Sequence, residues 1–148
     1  MIWFAAILTG LYALLLLFFL TGWKRIPEHK TIGKNGDVSF SVIVPARNEA
    51  PNIEKTLLDL AHQDYDRQMF EVIVVDDQSE DGTAEIVEKL ALKEGFDNFR
   101  LFGSFSGEKL KYKKGALTKG IQNAKGDWIV TTDADCRRGP QWLQSLSA

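Results

Sequence analysis

The sequence has few of the residues on which several common kinds of protein depend. Its only cysteine is Cys136, so it cannot form an internal disulfide, and this usage fits a reducing compartment. The two histidines, His29 and His62, are far apart and lack the paired spacing of a metal site. The formal net charge is −2, so the chain lacks the positive charge that usually attracts a nucleic-acid partner. The 148 residues are enough for one domain of ordinary size.

Several sequence motifs that would identify a class of enzyme are also missing. Neither the P-loop glycine pattern nor the glycine pattern of dinucleotide-binding folds occurs. There is no G-x-S-x-G elbow, so hydrolysis by a serine, histidine and aspartate triad has no support. No internal repeat is visible. Any activity must therefore come from a different arrangement of residues.

Charge is absent from residues 2–23, which are almost uniformly apolar. As a helix this segment would span roughly 33 Å, about the thickness of the hydrocarbon core of a bilayer. Trp3 and Trp23 lie near its ends, where aromatic rings favour the membrane interface, and Lys24 and Arg25 follow at once. We predict a single-pass helix in the cell membrane, with the rest of the chain on the cytoplasmic side.

A cleaved signal peptide and a buried helix of a soluble protein are the alternatives for this segment. A signal peptide requires a basic amino-terminal flank, a shorter apolar core and small residues at the cleavage site. Here no basic residue precedes the run, and residues 21–24 form a poor cleavage site. A buried soluble helix is disfavoured because the apolar residues are not confined to one face. An uncleaved anchor is the favoured interpretation.

Beyond the anchor, residues 24–37 predict a linker, and residues 38–148 predict an α/β domain. The linker contains proline, glycine and charged residues without a sustained apolar period. In the domain, apolar runs predict strands at 40–44, 70–75, 99–102 and 128–132. Helical spacing predicts helices at 52–62, 83–94 and 114–125, the last with Leu117, Ile121 and Ala124 on its inner face, and a helical turn at 140–143. This alternation predicts a partly parallel sheet with helices on both faces.

Ligands of such sheets bind beyond the carboxyl ends of the strands, which here are residues 45–49, 76–83 and 133–136. Asp76 and Asp77 directly follow a buried strand, where two adjacent acids repel each other and favour a ligand with hydrogen-bond donors. The alternative is that one caps the next helix and the other is solvated, although Asp81 already offers a cap.

Asp133 and Asp135 follow the fourth predicted strand and offer the oxygen ligands that Mg²⁺ and Mn²⁺ prefer. Such a cation can neutralise a departing diphosphate. An acidic surface turn is the alternative. Lys113 lies at the start of a predicted helix, where a cation opposes the helix dipole, and Arg47 lies at the end of a predicted strand. Both positions suit an anionic ligand. The alternative is that both side chains are simply solvated.

Four ordered segments together resemble the family-2 glycosyltransferases of the GT-A fold. They are residues 41–49, 71–83, 113–117 and 126–135, the last of which contains the D-x-D motif. Thr118 departs from the pattern, because asparagine is frequent there. The resemblance runs from about residue 40 to residue 143 at fitting spacings. It implies the Rossmann-like nucleotide-binding half of a GT-A domain.

The resemblance implies an enzyme that takes a sugar from a nucleotide-diphospho-sugar, with a UDP-sugar expected, and transfers it to a glycan or lipid acceptor. The implied donor-binding residues are Pro45, Arg47, Glu49, Asp76, Asp77 and Lys113. Asp133 and Asp135 are the implied ligands of Mg²⁺ or Mn²⁺. Transfer in this family is usually inverting and needs a separate carboxylate as general base.

The general base is expected beyond Ala148, so no catalytic residue is expected within residues 1–148. No residue after Asp135 matches the base of the family or its Q-x-x-R-W element, and Gln141 with Trp142 does not fit that element. We therefore expect the donor half of a longer enzyme, truncated at Ala148 and inactive in transfer on its own.

Two other functions stay open at this stage. A nucleotidyltransferase would show a glycine-rich basic loop after the first strand, which residues 45–49 do not provide. The other is a membrane-anchored, non-catalytic nucleotide-binding or interaction module.

Overall fold

The computed structural model describes residues 2–25, 38–93, 96–103 and 112–147, with Tyr112 described by its backbone alone. The chain divides into two compact units, residues 1–30 and 31–148. The first unit contains one long helix, and the second contains an α/β sheet.

Helix α1 spans Ile2–Lys24 and is long and apolar enough to cross a membrane. None of its described side chains is buried within the protein. Thr9 and Thr21 donate their hydroxyls to the carbonyls of Ala5 and Phe18, each at 2.9 Å, so these polar groups are satisfied inside the helix. The helix contains the predicted span and Lys24, the first predicted linker residue. Residues 26–37 of that linker lie outside the described residues.

Four strands form the sheet of the second unit: β1 at Phe40–Ala46, β2 at Phe70–Asp76, β3 at Phe99–Gly103 and β4 at Trp128–Thr131. Their order is β3-β2-β1-β4, and every described neighbour pair is parallel. The four predicted strands are confirmed to within two residues. The chain adds strands on one side of β1 and then crosses to its other side, which makes the β1–β4 boundary the switch point of the sheet.

A crevice opens at this switch point because β4 ends before β1 does. Strand β4 pairs only with residues 40–43 of β1, and the last contact is a hydrogen bond of 3.1 Å from the Thr132 N–H to the Ile43 carbonyl. Strand β1 continues beside β2 through Pro45 to Ala46. Pro45 has no N–H, so it suits a position that β4 no longer faces.

Helices cover both faces of the sheet, as predicted. Helix α2 at Ile53–Ala61, helix α3 at Thr83–Ala91 and the short helix α5 at Trp142–Leu146 contribute to the core on one face. Helix α4 at Tyr112–Gln122 covers the other face, where Ala116 packs with Ile43, Ile73 and Val75. A 3₁₀ turn at Arg67–Met69, which the sequence pattern did not predict, leads into β2.

Two predicted helices differ from the structure. Helix α3 ends at Ala91 and not at residue 94, because the Lys93 N–H bonds to the Leu90 carbonyl at the tighter three-residue spacing. Helix α4 turns Ala116 and Gly120 to the sheet, whereas Ile121, predicted to be internal, is 47% exposed. A Cβ on Gly120 would lie 2.5 Å from Ile43 Cγ2, so the absence of a side chain lets the helix approach the sheet there.

The turn into β4 is tied to the central strands by a polar cluster around Glu71. Ser41 Oγ donates to Glu71 Oε1 at 2.6 Å, and the Lys125 N–H donates to the same oxygen at 2.6 Å. The Gly126 N–H donates to Ser41 Oγ at 2.8 Å. Burial alone would raise the pKa of Glu71, but these hydrogen bonds and the ion pair with Arg100 lower that pKa overall. The cluster fixes where β4 begins and hence where the acidic loop after β4 lies.

Candidate functional site

A cleft of about 410 Å³ lies at the carboxyl edge of β1, β2 and β4. It gathers residues from both loops that follow β1 and β2, from the start of α4 and from the loop after β4. Every predicted donor-binding and metal-binding residue except Asp76 lines it. The lining residues are Pro45, Ala46, Arg47, Glu49, Asp77, Lys113, Ala116, Asp133, Ala134 and Asp135.

The predicted general base lies outside the residues that the structure describes. It was placed beyond Ala148, and Ala148 itself lies outside the described residues. Its location therefore stays a prediction, and the described part of the cleft is lined by residues that were predicted to bind the donor and the metal.

The two adjacent acids after β2 have different surroundings. Asp76 is buried and its Oδ2 accepts the Ser79 N–H at 3.2 Å, so it organises the turn beside the cleft. Asp77 is 4% exposed and lines the cleft, and its Oδ2 lies 3.6 Å from Nη1 of Arg47. Among the described residues, Oδ1 of each of these acids has no hydrogen-bond partner. A buried acceptor left unpaired costs on the order of 1–3 kcal/mol, so Asp77 Oδ1 favours a ligand that brings a donor into the cleft.

The loop after β1 is held against the loop after β2 by hydrogen bonds that the sequence pattern did not reveal. The Asn48 N–H donates to Ser79 Oγ at 2.9 Å, and the Glu49 N–H donates to Thr83 Oγ1 at 2.9 Å. Asn48 has a φ of 55°, in the left-handed region that asparagine tolerates better than most residues. These contacts give Arg47 and Glu49 a fixed backbone beside Asp77.

The loop after β4 presents Asp133 and Asp135 to the cleft while Ala134 between them is buried. One ligand atom each from Asp133, Asp135 and Cys136 lies within 4.8 Å of the others. Nζ of Lys113 donates to Asp133 Oδ1 at 2.6 Å, and this bond is the main cause of the raised pKa of Lys113. Exposed carboxylate oxygens that converge in this way fit the coordination of Mg²⁺ or Mn²⁺.

Hydrogen bonds from helix α2 and ion pairs with it hold this acidic loop in place. Thr56 Oγ1 donates to the Ala134 carbonyl at 2.6 Å. Arg137 donates to Asp59 through Nε at 2.6 Å and Nη2 at 2.8 Å, and the Arg138 N–H adds a bond of 3.0 Å to the same carboxylate. The hydrogen bond from Arg137 is the main reason that the pKa of Asp59 is lowered. All these contacts join segments that are far apart in sequence, which is why no local pattern predicts them.

We expect Asp59→Asn to destabilise the protein by about 1 kcal/mol at neutral pH, because a neutral amide cannot form the same paired bonds with Arg137. The lowered pKa means that the stabilising contribution of Asp59 is complete above the ordinary aspartate pKa near 3.8 and is lost as pH falls through the lower folded value. The stability difference between the variant and the wild type should therefore shrink below about pH 4. Urea unfolding of the full chain in detergent, followed at several pH values, measures this difference.

The matched control is Glu54→Gln, an exposed acid on the same helix. Its effect should stay within about 0.5 kcal/mol at every pH. A difference for Asp59→Asn that stays constant down to about pH 3 would contradict the role assigned to the Arg137 contact.

Sequence reasoning also assigned no role to Cys136 and Arg138, which lie near the site. Cys136 is half-buried and lines, with Asp133, Lys113 and Arg138, a second hollow of about 330 Å³ beside the main cleft. Arg138 donates through Nη2 to Thr132 Oγ1 and lies over the Trp142 ring, 5.1 Å from its centroid. The signal available for Cys136 was its position directly after the D-x-D motif, which makes the local sequence D-x-D-C.

Residues 41–148 match the family described as Glycosyl transferase family 2. One curated relative is the undecaprenyl-phosphate 4-deoxy-4-formamido-L-arabinose transferase of Aeromonas hydrophila, 32% identical over 114 residues, which are 76% of this chain and 34% of that protein. The chain spans about a third or less of the length of the curated relatives it matches.

Two solved structures are similar to this chain. The mannosyltransferase PcManGT from Pyrobaculum calidifontis, in complex with GDP-Man and Mn²⁺, aligns with a TM-score of 0.73 and 31% identity. That alignment covers 89% of this chain and 38% of the other. Residues 1–349 of TarS from S. aureus, in complex with UDP-GlcNAc, align with a TM-score of 0.62 and 32% identity, over 74% of this chain and 30% of the other.

Proposed function

The chain belongs to glycosyl transferase family 2, and from this premise we propose that its cleft binds a nucleotide-diphospho-sugar through a divalent cation, for sugar transfer to a glycan or lipid acceptor. The observation that carries the proposal is the pairing of two features in one cleft. The buried Oδ1 of Asp77 has no hydrogen-bond partner among the described residues, and Asp133 and Asp135 present exposed carboxylates. A volume of about 410 Å³ lies in the range of small-molecule sites. Membership in this family favours a glycosyltransferase over the alternative of a nucleotidyltransferase.

The Asp77 side of the cleft is proposed to hold the nucleoside. Asp77 Oδ1 would accept a hydrogen bond from a base N–H or a ribose hydroxyl, which removes the cost of its unpaired burial. Arg47, 3.6 Å from the other oxygen of Asp77, keeps that carboxylate oriented. Pro45 and Glu49 line the same cleft. Asp76 serves the nucleotide indirectly in this proposal, since it ends β2, accepts a hydrogen bond from the turn that follows and does not line the cleft.

The opposite side is proposed to hold the diphosphate. A divalent cation held by Asp133 and Asp135 would supply the positive charge that neutralises a departing nucleoside diphosphate. Lys113 already lies 2.6 Å from Asp133, so its ammonium is in place to meet phosphate oxygens when it leaves that carboxylate. The related mannosyltransferase complex with GDP-Man and Mn²⁺ supports a cation of this kind. The TarS complex with UDP-GlcNAc supports a sugar nucleotide as the donor.

We propose an inverting transfer whose general base lies beyond Ala148. The cleft holds four described carboxylates, Glu49, Asp77, Asp133 and Asp135, and each has a proposed donor or cation role. None of the four is then free to take the proton of an acceptor hydroxyl. Residues 1–148 are accordingly expected to bind donor without transferring sugar.

Helix α1 is proposed as a membrane anchor that places residues 38–148 at the cytoplasmic surface. Lys24 and Arg25 follow its apolar span, and basic residues favour the cytoplasmic side. A lipid-linked acceptor would be within reach of a domain that is anchored in this way.

Calorimetric titration of the full chain in detergent tests the donor proposal. UDP should bind at least about tenfold more tightly in the presence of Mn²⁺ than in the presence of EDTA, because the cation bridges diphosphate and protein. UMP, which lacks the second phosphate, should bind weakly and show little response to Mn²⁺. UDP binding that is equal with Mn²⁺ and with EDTA, or no UDP binding at all, would contradict the proposal and favour an interaction module.

A further inference from the structure

We propose that the Cys136 thiolate is a third protein ligand of the cation at Asp133 and Asp135, and that it gives this site a preference for thiophilic cations such as Co²⁺ and Cd²⁺ over Mg²⁺. The inference rests on the proposed function, because it concerns the same cation. It does not rest on a cysteine alone. Two carboxylates and one thiol converge there. In the cleft that Asp133 and Asp135 also line, the buried Asp77 Oδ1 has no hydrogen-bond partner among the described residues, which independently indicates a ligand.

The distances suit a shared cation. Sulfur lies about 2.3 Å from a bound borderline cation and carboxylate oxygen about 2.0–2.2 Å, so three ligand atoms on one tetrahedral cation lie roughly 3.3–3.7 Å from one another. In the structure the sulfur and the two carboxylate oxygens lie within 4.8 Å of one another. Rotations of the exposed Asp133 and Asp135 side chains that move their carboxylate oxygens by up to about 1 Å would bring all three atoms to that spacing.

The backbone holds Cys136 at this position. Its N–H donates to the Asp133 carbonyl at 3.3 Å, which closes a turn around Ala134 and Asp135. Its own carbonyl accepts from Thr56 Oγ1 at 3.3 Å, and the same hydroxyl donates to the Ala134 carbonyl at 2.6 Å. Helix α2 therefore anchors the turn that carries all three ligands. The sulfur is kept near the carboxylates by main-chain contacts and not only by its own rotamer.

The chemistry of the ligand set determines the preference. Carboxylates suit Mg²⁺ and Mn²⁺, whereas a thiolate adds much more to the binding of softer cations. When the sulfur–cation bond forms, the thiol proton passes to solvent and one water leaves the cation. Two carboxylates and a thiolate carry three negative charges, which a divalent cation together with the ammonium of Lys113 balances. A serine hydroxyl at the same position would keep the size but lose the soft ligand.

Cobalt absorption tests this inference without any measurement of sugar transfer. The full wild-type chain titrated with Co²⁺ should develop a saturable sulfur-to-cobalt charge-transfer band in the near ultraviolet. Cys136 is the only cysteine, so the band has a single possible source. Cys136→Ser should lack the band and bind Cd²⁺ at least about tenfold more weakly, while its Mn²⁺ affinity stays within about threefold of wild type. Circular dichroism of both chains confirms that the variant is folded.

Alkylation provides a second readout on the unaltered cysteine. Cd²⁺ should slow the reaction of Cys136 with iodoacetamide in the wild type and should not slow it in Asp133→Ala/Asp135→Ala. If the wild type binds Mn²⁺ but shows no charge-transfer band, and Cys136→Ser binds Cd²⁺ as tightly as wild type, the thiolate ligand is excluded while the proposed function survives. If the wild type binds no divalent cation at this site, the proposed function fails as well.

Discussion

Asp133→Ala/Asp135→Ala is expected to weaken the binding of UDP in the presence of Mn²⁺ by about 100-fold, which corresponds to about 2.7 kcal/mol. The double variant removes both carboxylates of the proposed diphosphate side of the cleft and keeps Asp77 and Arg47 of the proposed nucleoside side. Its affinity for UDP should therefore fall to the value that the wild type shows in EDTA, and Mn²⁺ should no longer change it. Calorimetric titration of the full chain in detergent measures both affinities.

The fold should tolerate this change, because both side chains are exposed and the Lys113 contact that is lost is a surface ion pair of small stabilising value. Glu54→Ala/Glu88→Ala is the matched control: it removes the same charge from exposed positions on α2 and α3. The control should bind UDP and Mn²⁺ as the wild type does. Retention of Mn²⁺-enhanced UDP binding by the Asp133→Ala/Asp135→Ala variant would rule out the proposed cation site.

Gly126→Ala is expected to destabilise the α/β unit by about 3 kcal/mol, a large part of the stability of an ordinary domain. A Cβ at this position would lie 2.5 Å from the carbonyl carbon of Phe40 and 2.6 Å from the nitrogen of Ser41. Both are main-chain atoms of the central strand β1, so no side-chain rotation can relieve the overlap. Movement of β1 would also strain the bond from the Gly126 N–H to Ser41 Oγ. Urea unfolding of the full chain in detergent measures the loss.

Gly139→Ala is the matched control, since no atom of the part of the chain that the structure describes lies within 4 Å of its added Cβ. It should change the free energy of unfolding by no more than about 0.5 kcal/mol. Gly126→Ala should in addition weaken Mn²⁺-dependent UDP binding, because the start of β4 sets the position of the acidic loop. If Gly126→Ala were as stable as Gly139→Ala, the close packing of the Gly126 turn against β1 would be contradicted.

The elements of the α/β unit could be predicted because their signals are local. The apolar runs at 40–44 and 70–75 lie inside β1 and β2, and turn residues bound them. Helix α4 shows where local reasoning fails. Helical spacing predicted that Ile121 is buried. However, the face of α4 that contacts the sheet depends on how closely the helix can approach the strands. Gly120 against Ile43 permits the closest approach, and Ile121 is left exposed.

The candidate site was predicted by the rule that ligands bind at the carboxyl ends of parallel strands, and the cleft does gather the acids and cations found there. The rule could not separate Asp76 from Asp77, because the two acids are adjacent at the same strand end. In the structure Asp76 accepts the turn hydrogen bond from Ser79, whereas Asp77 lines the cleft beside Arg47. Nor could it find Thr56 and Asp59, which act on the acidic loop from α2 through contacts between distant parts of the chain. The placement of the cysteine beside the two carboxylates depends on that same anchoring.

A crystal structure of the full chain grown with UDP and Mn²⁺, with the anomalous signal of manganese, tests the central claim most directly. The account predicts an anomalous peak bonded to Asp133 and Asp135, with the diphosphate on the same cation and the nucleoside donating to Asp77 Oδ1. Manganese away from these two carboxylates, or a nucleotide bound outside the cleft, would contradict it.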